Sequence, residues 1–122
     1  MPYVSNWEEN GVYCTFVGKV TGTELIQCNN DIYGDKRFDD IRYQLFDMLS
    51  VTEIAITDEG ILMVAACDKA AALTNPAVKC ALVATNEIIH AFSRLYQKGI
   101  KKSPWEGRSF YDVSKAREWL SY

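Results

Sequence analysis

The chain has 122 residues, of which 48% are hydrophobic and 24% charged, and its formal net charge at pH 7 is −3. This composition is typical of one globular domain, and it excludes a disordered tail, a collagen-like rod and a low-complexity linker. The negative balance is opposite to that of most nucleic-acid-binding domains, so we expect no nucleic-acid partner.

The N-terminal sequence and the cysteines bear on compartment and on metal binding. Residues 1–9 lack a basic stretch followed by an apolar core, so we expect no signal peptide and a cytoplasmic location. The uncharged runs are much shorter than the ~18 residues of a membrane span, so we expect no stable membrane insertion. The four cysteines form no CxxC pair, a spacing that favours reduced thiols over disulfides or a zinc site. No phosphate-cradling glycine loop or catalytic signature occurs in the sequence, which therefore predicts neither a metal nor another cofactor.

The first predicted elements form a β-hairpin. Asn10-Gly11 is a strong turn signal, because both residues accept the positive φ that a two-residue hairpin turn requires. This turn would join residues 3–7 to a strand over Val12–Gly18, whose alternate residues share one apolar face. The outer strand leaves a free sheet edge through which a second copy of the chain could pair. A homodimer is therefore one of the predicted assemblies.

A short helix, a strand and an extended connection follow the hairpin. Thr21 and Glu24 match a capping box, and the charged stretch from Asp31 to Asp40 interrupts the amphipathic helix that they begin. Ile41 to Leu49 alternates apolar and polar residues and then becomes apolar, which predicts a strand that is fully buried at its end. We expect Val51 to Thr57 to be an extended connection anchored by its apolar residues.

The helix predicted from about Asp58 to Leu73 carries most of the functional expectations. Asp58 and Glu59 suit its first turn, where the backbone dipole favours negative charge. The helix has little polar face, so we expect it to be covered on more than one side. Its residues Leu62, Met63 and Ala66 are the candidate lining of an apolar pocket. We interpret Asp68-Lys69 as the narrow solvent-facing strip, and the alternative is a buried polar pair at a ligand cavity.

The C-terminal half continues the alternation of strands and helices. Val78 to Ala84 is an almost continuous apolar run, which predicts a central parallel strand. Asn86 caps a helix with a clear apolar stripe, and Gly99 ends it. His90 lies off that stripe, so we expect an exposed histidine rather than a general base. A strand over Arg108–Tyr111 and a final helix that begins after Asp112 complete the chain.

This order of elements, β-β-α-β-α-β-α-β-α, predicts the fold class. Strands that alternate with helices favour right-handed crossovers and a mainly parallel sheet. We therefore expect a single α/β domain over residues 1–122. It should contain a four- to five-stranded mixed sheet, mostly parallel with an antiparallel N-terminal hairpin, and about four helices.

Several motifs in this order are similar to those of a known family. They are the run Arg37–Tyr43, the strand end Phe46-Asp47, the segment Ala71–Pro76 before the central strand, and the C-terminal segment Phe110–Leu120. Together they resemble the SpoIIAA-like branch of the STAS-type domains, named for bacterial anti-sigma-factor antagonists, over nearly the whole chain. The resemblance implies a mixed sheet with helices packed mainly on one side and a relationship to the Sec14-type lipid-binding fold. It also implies a role in regulation by protein–protein contact.

In the family, a serine is reversibly phosphorylated in an Asp-Ser-Ser-Gly turn at a helix N-terminus. The matching turn of this chain is Thr57-Asp58-Glu59-Gly60. Its acceptor position is occupied by Glu59, or by Asp58 if the alignment shifts by one residue. A carboxylate there places permanent negative charge where a phosphate would lie. The resemblance therefore implies that the switch is absent, and the alternative is that Thr57, the nearby hydroxyl, is a surrogate acceptor of the phosphate.

Two functions follow from these observations. The first is a non-enzymatic regulatory or protein-interaction module with an unidentified protein partner. The alternative is a carrier or sensor of an apolar small molecule or lipid, which would need a pocket of about 300–1,000 Å³ beside the apolar helix. An enzyme comes third, because no nucleophile–base or metal motif supports one.

Overall fold

A computed structural model of the protein describes residues 3–121 and contains five strands and four α-helices. In chain order they are β1 (Tyr3–Trp7), β2 (Gly11–Thr21), α1 (Gly22–Tyr33), β3 (Tyr43–Ala55), α2 (Asp58–Ala71), β4 (Lys79–Val83), α3 (Glu87–Gly99), β5 (Glu106–Phe110) and α4 (Val113–Leu120). A short 3-10 helix at Lys36–Asp40 precedes β3. The predicted domain over residues 1–122 includes residues 1, 2 and 122, which lie outside the described part.

The five strands form one mixed sheet in the order β1-β2-β3-β4-β5. β1 pairs antiparallel with β2, and each later neighbouring pair is parallel. The predicted α/β fold, a mostly parallel sheet with an antiparallel N-terminal hairpin and four helices, is confirmed. β1 and β5 form the two edges of this sheet.

The two faces of the sheet carry different helices. Helices α1, α2 and α3 pack on one face, which holds the larger buried cluster, and α4 packs on the other. The strand residues alternate accordingly. Those that face the three helices include Val12, Cys14, Phe16, Phe46 and Leu82. Those that face α4 include Tyr13, Leu45, Ala81 and Val83.

The hairpin is present, but its turn differs from the predicted one. The last paired residues are Trp7 and Val12, and the Glu8 amide donates to the Gly11 carbonyl at 2.8 Å. Neither Asn10 nor Gly11 has a positive φ, so the predicted two-residue turn is wrong. Gly11 is required for another reason: a Cβ at this position would lie 2.4 Å from the Tyr43 ring.

We expect the substitution Gly11→Ala to lower the free energy of unfolding by about 1–3 kcal/mol, because it overpacks the contact with Tyr43. The ring cannot easily retreat, since its hydroxyl donates to Glu8 and lies 3.3 Å from a nitrogen of Arg117. Gly22→Ala is the matched control, because a Cβ there meets no atom within 4 Å. Thermal unfolding of both variants measures the difference, and equal melting temperatures would contradict the packing argument.

β3 is longer than predicted and is exposed at its end. The predicted strand and the extended connection after it form one strand, but β4 pairs only with its first five residues, 43–47. Leu45 and Met48 are buried, whereas Leu49 and most later residues are not. The prediction of a buried end is wrong because β3 extends beyond the strand that would cover its other edge.

The start of α1 is confirmed, and so is its end within the charged stretch from Asp31 to Asp40, although the helix includes the first residues of that stretch. The Glu24 amide donates to Thr21 Oγ1 at 3.1 Å, and the Thr21 amide donates to the Glu24 carboxylate at 3.1 Å. The helix continues through Asp31 to Tyr33. It does so because its buried residues continue at helical spacing, at Leu25, Cys28, Asn29 and Ile32.

Candidate functional site

The turn that the resemblance predicts to correspond to the switch position of SpoIIAA-like domains lies at the start of α2. Thr57 is the N-cap, and its hydroxyl oxygen accepts the Gly60 amide at 3.1 Å. Asp58 and Glu59 are exposed in the first helical turn, as predicted. A carboxylate in this position stabilises a helix by about 0.3–1 kcal/mol. The turn therefore presents fixed negative charge to solvent at a helix N-terminus.

A continuous exposed surface, the α2 outer face, begins at these carboxylates. Its members are Asp58, Glu59, Leu62, Met63 and Ala66. Leu62 is 46% exposed and Met63 is 58% exposed. The predictions that Leu62, Met63 and Ala66 line a pocket, and that α2 is covered on more than one side, are both wrong. The opposite side of the helix packs inward, so these three side chains project away from the core.

A cavity of about 90 Å³ lies on the inner side of α2, between the sheet and helices α1, α2 and α3. Most of its wall is apolar. The apolar residues include Leu25, Phe46, Met48, Ile56, Ile61, Val64, Leu82, Ile89 and Phe92. The cavity is smaller than the roughly 300–1,000 Å³ that drug-sized ligands and lipids need. Its size therefore does not support the predicted alternative of a lipid carrier.

Asp68 forms the polar end of this cavity. It is 3% exposed, and its carboxylate accepts hydrogen bonds from Asn29 Nδ2 at 3.1 Å and from the hydroxyls of Tyr33 and Tyr96. The interpretation of Asp68-Lys69 as a solvent strip is thus wrong for Asp68, although Lys69 is exposed. Asp68 is buried because it lies one turn beyond Val64 on the inner side of α2.

Burial controls the ionisation of this cluster. It raises the pKa of Asp68 to about 6, against the opposing effect of the Tyr33 and Tyr96 hydrogen bonds. Burial also raises the pKa of Tyr33 and of Tyr96 well above that of an ordinary phenol, and the Asp68 charge adds to both. Desolvation raises the pKa of Cys80, whose Sγ lies 3.5 Å from the Tyr96 hydroxyl. At neutral pH the two phenols are therefore donors to a charged Asp68.

Two further polar side chains line the cavity, and each leaves one atom unpaired. Asn29 Oδ1 and Gln44 Nε2 are buried and have no hydrogen-bond partner among residues 3–121. The Gln44 amide lies near the Tyr33 hydroxyl without meeting hydrogen-bond geometry, and it slightly opposes the rise in the pKa of that phenol. Native proteins leave few buried polar atoms unpaired, so these two mark the cavity as unusual.

His90 is buried rather than exposed. It is 2% exposed, its Nε2 lies 2.8 Å from the Ala84 carbonyl, and its Nδ1 lies 2.9 Å from Ser109 Oγ. Because a carbonyl only accepts, Nε2 carries a proton, and Nδ1 pairs with the serine hydroxyl. The ring also stacks on Tyr111 with a centroid distance of 4.1 Å. The predicted exposure is wrong because α3 turns this side chain toward β5.

Within residues 3–121 no three His, Cys, Asp or Glu side chains are grouped as a metal site would require. No helix there has the length and apolar character needed to cross a membrane. Cys14 and Cys28 are free thiols whose sulfur atoms lie 3.8 Å apart in the core.

Helical spacing could have located Asn29, which was missed, and could have favoured the buried alternative for Asp68 over the solvent strip. Asp68 follows Ile61 and Val64 at i+7 and i+4, and Asn29 follows Leu25 at i+4. Both polar residues therefore lie within the buried stripe of their helix. Gln44 has no comparable signal, because an alternating strand alone does not tell which of its faces a helix will cover.

Neither a protein-family model nor a curated protein matches the chain. Among solved structures, it is similar to an uncharacterized protein of the DUF3478 family with a SpoIIAA-like fold from Shewanella loihica PV-4. The identity is 18%, the match covers 97% of this chain and 93% of that chain, and the TM-score is 0.59. This likeness confirms the predicted SpoIIAA-like fold.

Proposed function

We propose that this SpoIIAA-like domain is a non-enzymatic regulatory module that acts by binding a protein partner. The observation that carries the proposal is the α2 outer face. It joins the fixed carboxylates of Asp58 and Glu59 to the exposed apolar side chains of Leu62 and Met63, which lie four residues further along the same face of the helix. By resemblance, these carboxylates correspond to the turn where SpoIIAA-like domains gain charge by phosphorylation, so we infer that binding here needs no modification.

The chemistry of this face favours a protein partner. Met63 is flexible and apolar, and methionine is enriched at protein interfaces. Together with Leu62 it offers the apolar centre of a contact, and Asp58 and Glu59 form its acidic margin. A complementary partner would present an apolar groove bordered by Lys or Arg side chains.

The state of His90 supports a non-enzymatic role. Both ring nitrogens are engaged, one by the Ala84 carbonyl and the other by the Ser109 hydroxyl. A general base needs a nitrogen that can reach the proton it removes. This imidazole instead holds the start of α3 against the end of β4 and against β5.

A charged residue in the apolar centre of the α2 outer face should weaken partner binding. We expect Met63→Glu to weaken the interaction at least tenfold, because it places a charge in the apolar centre of the contact. Ile88→Glu, in the first turn of α3, is the matched control because Ile88 is also 58% exposed. A tagged form of the 122-residue chain is used to capture the partner from a lysate of the source organism, and calorimetry then measures the affinity of the purified partner for the wild type and for each variant.

Two outcomes contradict the proposed function. One is that no captured protein binds in purified form. The other is that Ile88→Glu weakens binding as much as Met63→Glu, which would place the contact elsewhere. Circular dichroism of both variants confirms that they fold before the comparison is made.

A second copy of the chain remains a predicted partner through the free edge of β1. β1 is the outermost strand of the sheet, and Val4 on it is exposed. An unpaired strand edge can pair with another chain. Sedimentation velocity at rising concentration distinguishes a dimer from a monomer, and a monomer at the highest concentration would rule out this assembly.

A further inference from the structure

The cavity beneath α2 and α3 is separate from the proposed protein-binding surface, because it lies on the opposite side of α2. We propose that it is a binding site for a small, uncharged molecule with a primary amide head group and a short apolar tail. The unpaired Asn29 Oδ1 and Gln44 Nε2 would bind the head group, and the apolar wall would hold the tail.

The hydrogen bonds within the cavity fix which atoms are free. Asn29 and Gln44 are each 2% exposed, so water outside the protein does not satisfy them. Asn29 Nδ2 donates to Asp68, which orients the Asn29 amide and leaves its Oδ1 as a free acceptor. Gln44 Nε2 is a free donor. The site therefore presents one acceptor and one donor to whatever occupies it.

The charge of Asp68 limits the ligand further. An anionic head group would be repelled by this buried carboxylate, since Coulomb interactions are strong where water is excluded. Arg108 also borders the cavity, but it is exposed, so water and salt screen its charge. A cationic amine offers only donors and would leave Gln44 Nε2 unpaired. A primary amide satisfies both requirements: its NH₂ donates to Asn29 Oδ1, and its carbonyl accepts from Gln44 Nε2.

The size of the cavity sets the length of the tail. Apolar cavities of about 150 Å³ bind benzene, which has six heavy atoms, so a cavity of about 90 Å³ suits roughly four heavy atoms. Propionamide, whose heavy atoms are three carbons, one nitrogen and one oxygen, is at the upper limit of this size and carries the required head group. Propionate and propylammonium have nearly the same size with an anionic or a cationic head group.

NMR titration of the full chain with these three compounds tests the proposal. We expect saturable shifts for propionamide at the backbone amides of the cavity residues, with a Kd in roughly the millimolar range for so few atoms. Propionate and propylammonium should give no saturable shifts there. Absence of saturation with propionamide, or saturation with propionate, overturns the proposal.

A substitution at Gln44 distinguishes the loss of ligand binding at the cavity from a general loss of stability. Gln44→Leu removes the free donor, and we expect it to lower propionamide affinity at least tenfold while thermal stability is unchanged or higher. Gln27→Leu, at an exposed position of α1, is the matched control and should bind as the wild type does. Equal binding by the Gln44 variant overturns the proposal. So does a crystal structure, grown with propionamide, in which only ordered water contacts Asn29 Oδ1 and Gln44 Nε2.

Discussion

Replacing Asn75 with alanine should lower the free energy of unfolding by about 3–5 kcal/mol. Asn75 is buried, and its Nδ2 donates to the carbonyls of Phe38 and Ile41 at 2.7 and 2.9 Å. Its Oδ1 accepts the Ala77 amide at 3.1 Å. Alanine would leave the two buried carbonyls without their partner, and each unpaired buried group costs about 1–3 kcal/mol. The Ala77 amide also loses its partner, but Ala77 is exposed, so water can replace that bond.

The position of Asn75 explains why the expected effect is large. Its side chain joins the loop after α2 to the 3-10 helix before β3, and its own carbonyl accepts Trp105 Nε1 at 2.6 Å. Trp105 in turn packs against the rings of Tyr33 and Phe38. Loss of the amide would therefore loosen three segments that are distant in sequence.

Urea denaturation measures this effect, with Asn30→Ala as the control. Asn30 is exposed on α1, so its replacement should change the free energy of unfolding by less than about 0.5 kcal/mol. Asn75→Asp adds a second test, because a carboxylate would face two carbonyl oxygens and should be more disruptive at neutral than at acid pH. If Asn75→Ala unfolds within 1 kcal/mol of the wild type, the three hydrogen bonds do not contribute as described.

The sequence predicted the regular elements because their signals are local. The capping box of Thr21 and Glu24, the apolar run over β4 and the Asn86 cap each act within a few residues of one another. The order of the strands in the sheet follows from the alternation of strands and helices along the chain. The N-terminus of α2 was predicted correctly for the same reason, since the carboxylates of Asp58 and Glu59 suit the first turn of any helix.

The buried polar residues could not be predicted in this way, because their partners are distant in the chain. Asp68 is bound by Asn29, which is 39 residues away in sequence, and Asn75 binds Phe38 over 37 residues. His90 lies beside the apolar stripe of α3. Whether its side chain is buried or exposed depends on how β5 packs against the helix. A local pattern gives the face on which a residue lies, but it does not show which faces other elements cover.

Asp68→Asn should stabilise the protein at neutral pH and have little effect at acid pH. The pKa of Asp68 is raised by burial from an ordinary value of 3.8 to about 6, so the folded protein holds this proton more tightly than the unfolded chain does. The contribution of Asp68 to stability is therefore greatest below pH 4 and falls as the pH rises through 6. A shift of this size corresponds to about 3 kcal/mol above pH 7.

Asparagine can take the place of the carboxylate without leaving a neighbour unpaired. Its Oδ1 would accept from Asn29 Nδ2 and the Tyr33 hydroxyl. Its Nδ2 would donate to the Tyr96 hydroxyl, whose hydrogen can turn to Cys80 Sγ at 3.5 Å. The substitution thus removes the buried charge and retains the hydrogen bonds, so its stabilising effect at neutral pH should approach the full pH-dependent loss of the wild type.

Urea denaturation at a series of pH values from 4 to 8 isolates this contribution as the difference between the variant and the wild type. Glu8, whose pKa is lowered by its hydrogen bonds to Arg117, makes a contribution that is lost as the pH falls through that lowered value. This term is common to both proteins and cancels in the difference. Asp39→Asn, exposed on the 3-10 helix, changes the same charge without burial and should differ from the wild type by less than about 0.5 kcal/mol. If Asp68→Asn is less stable than the wild type at pH 7.5, the three donors outweigh desolvation, and the buried carboxylate is a net stabilising element of the fold.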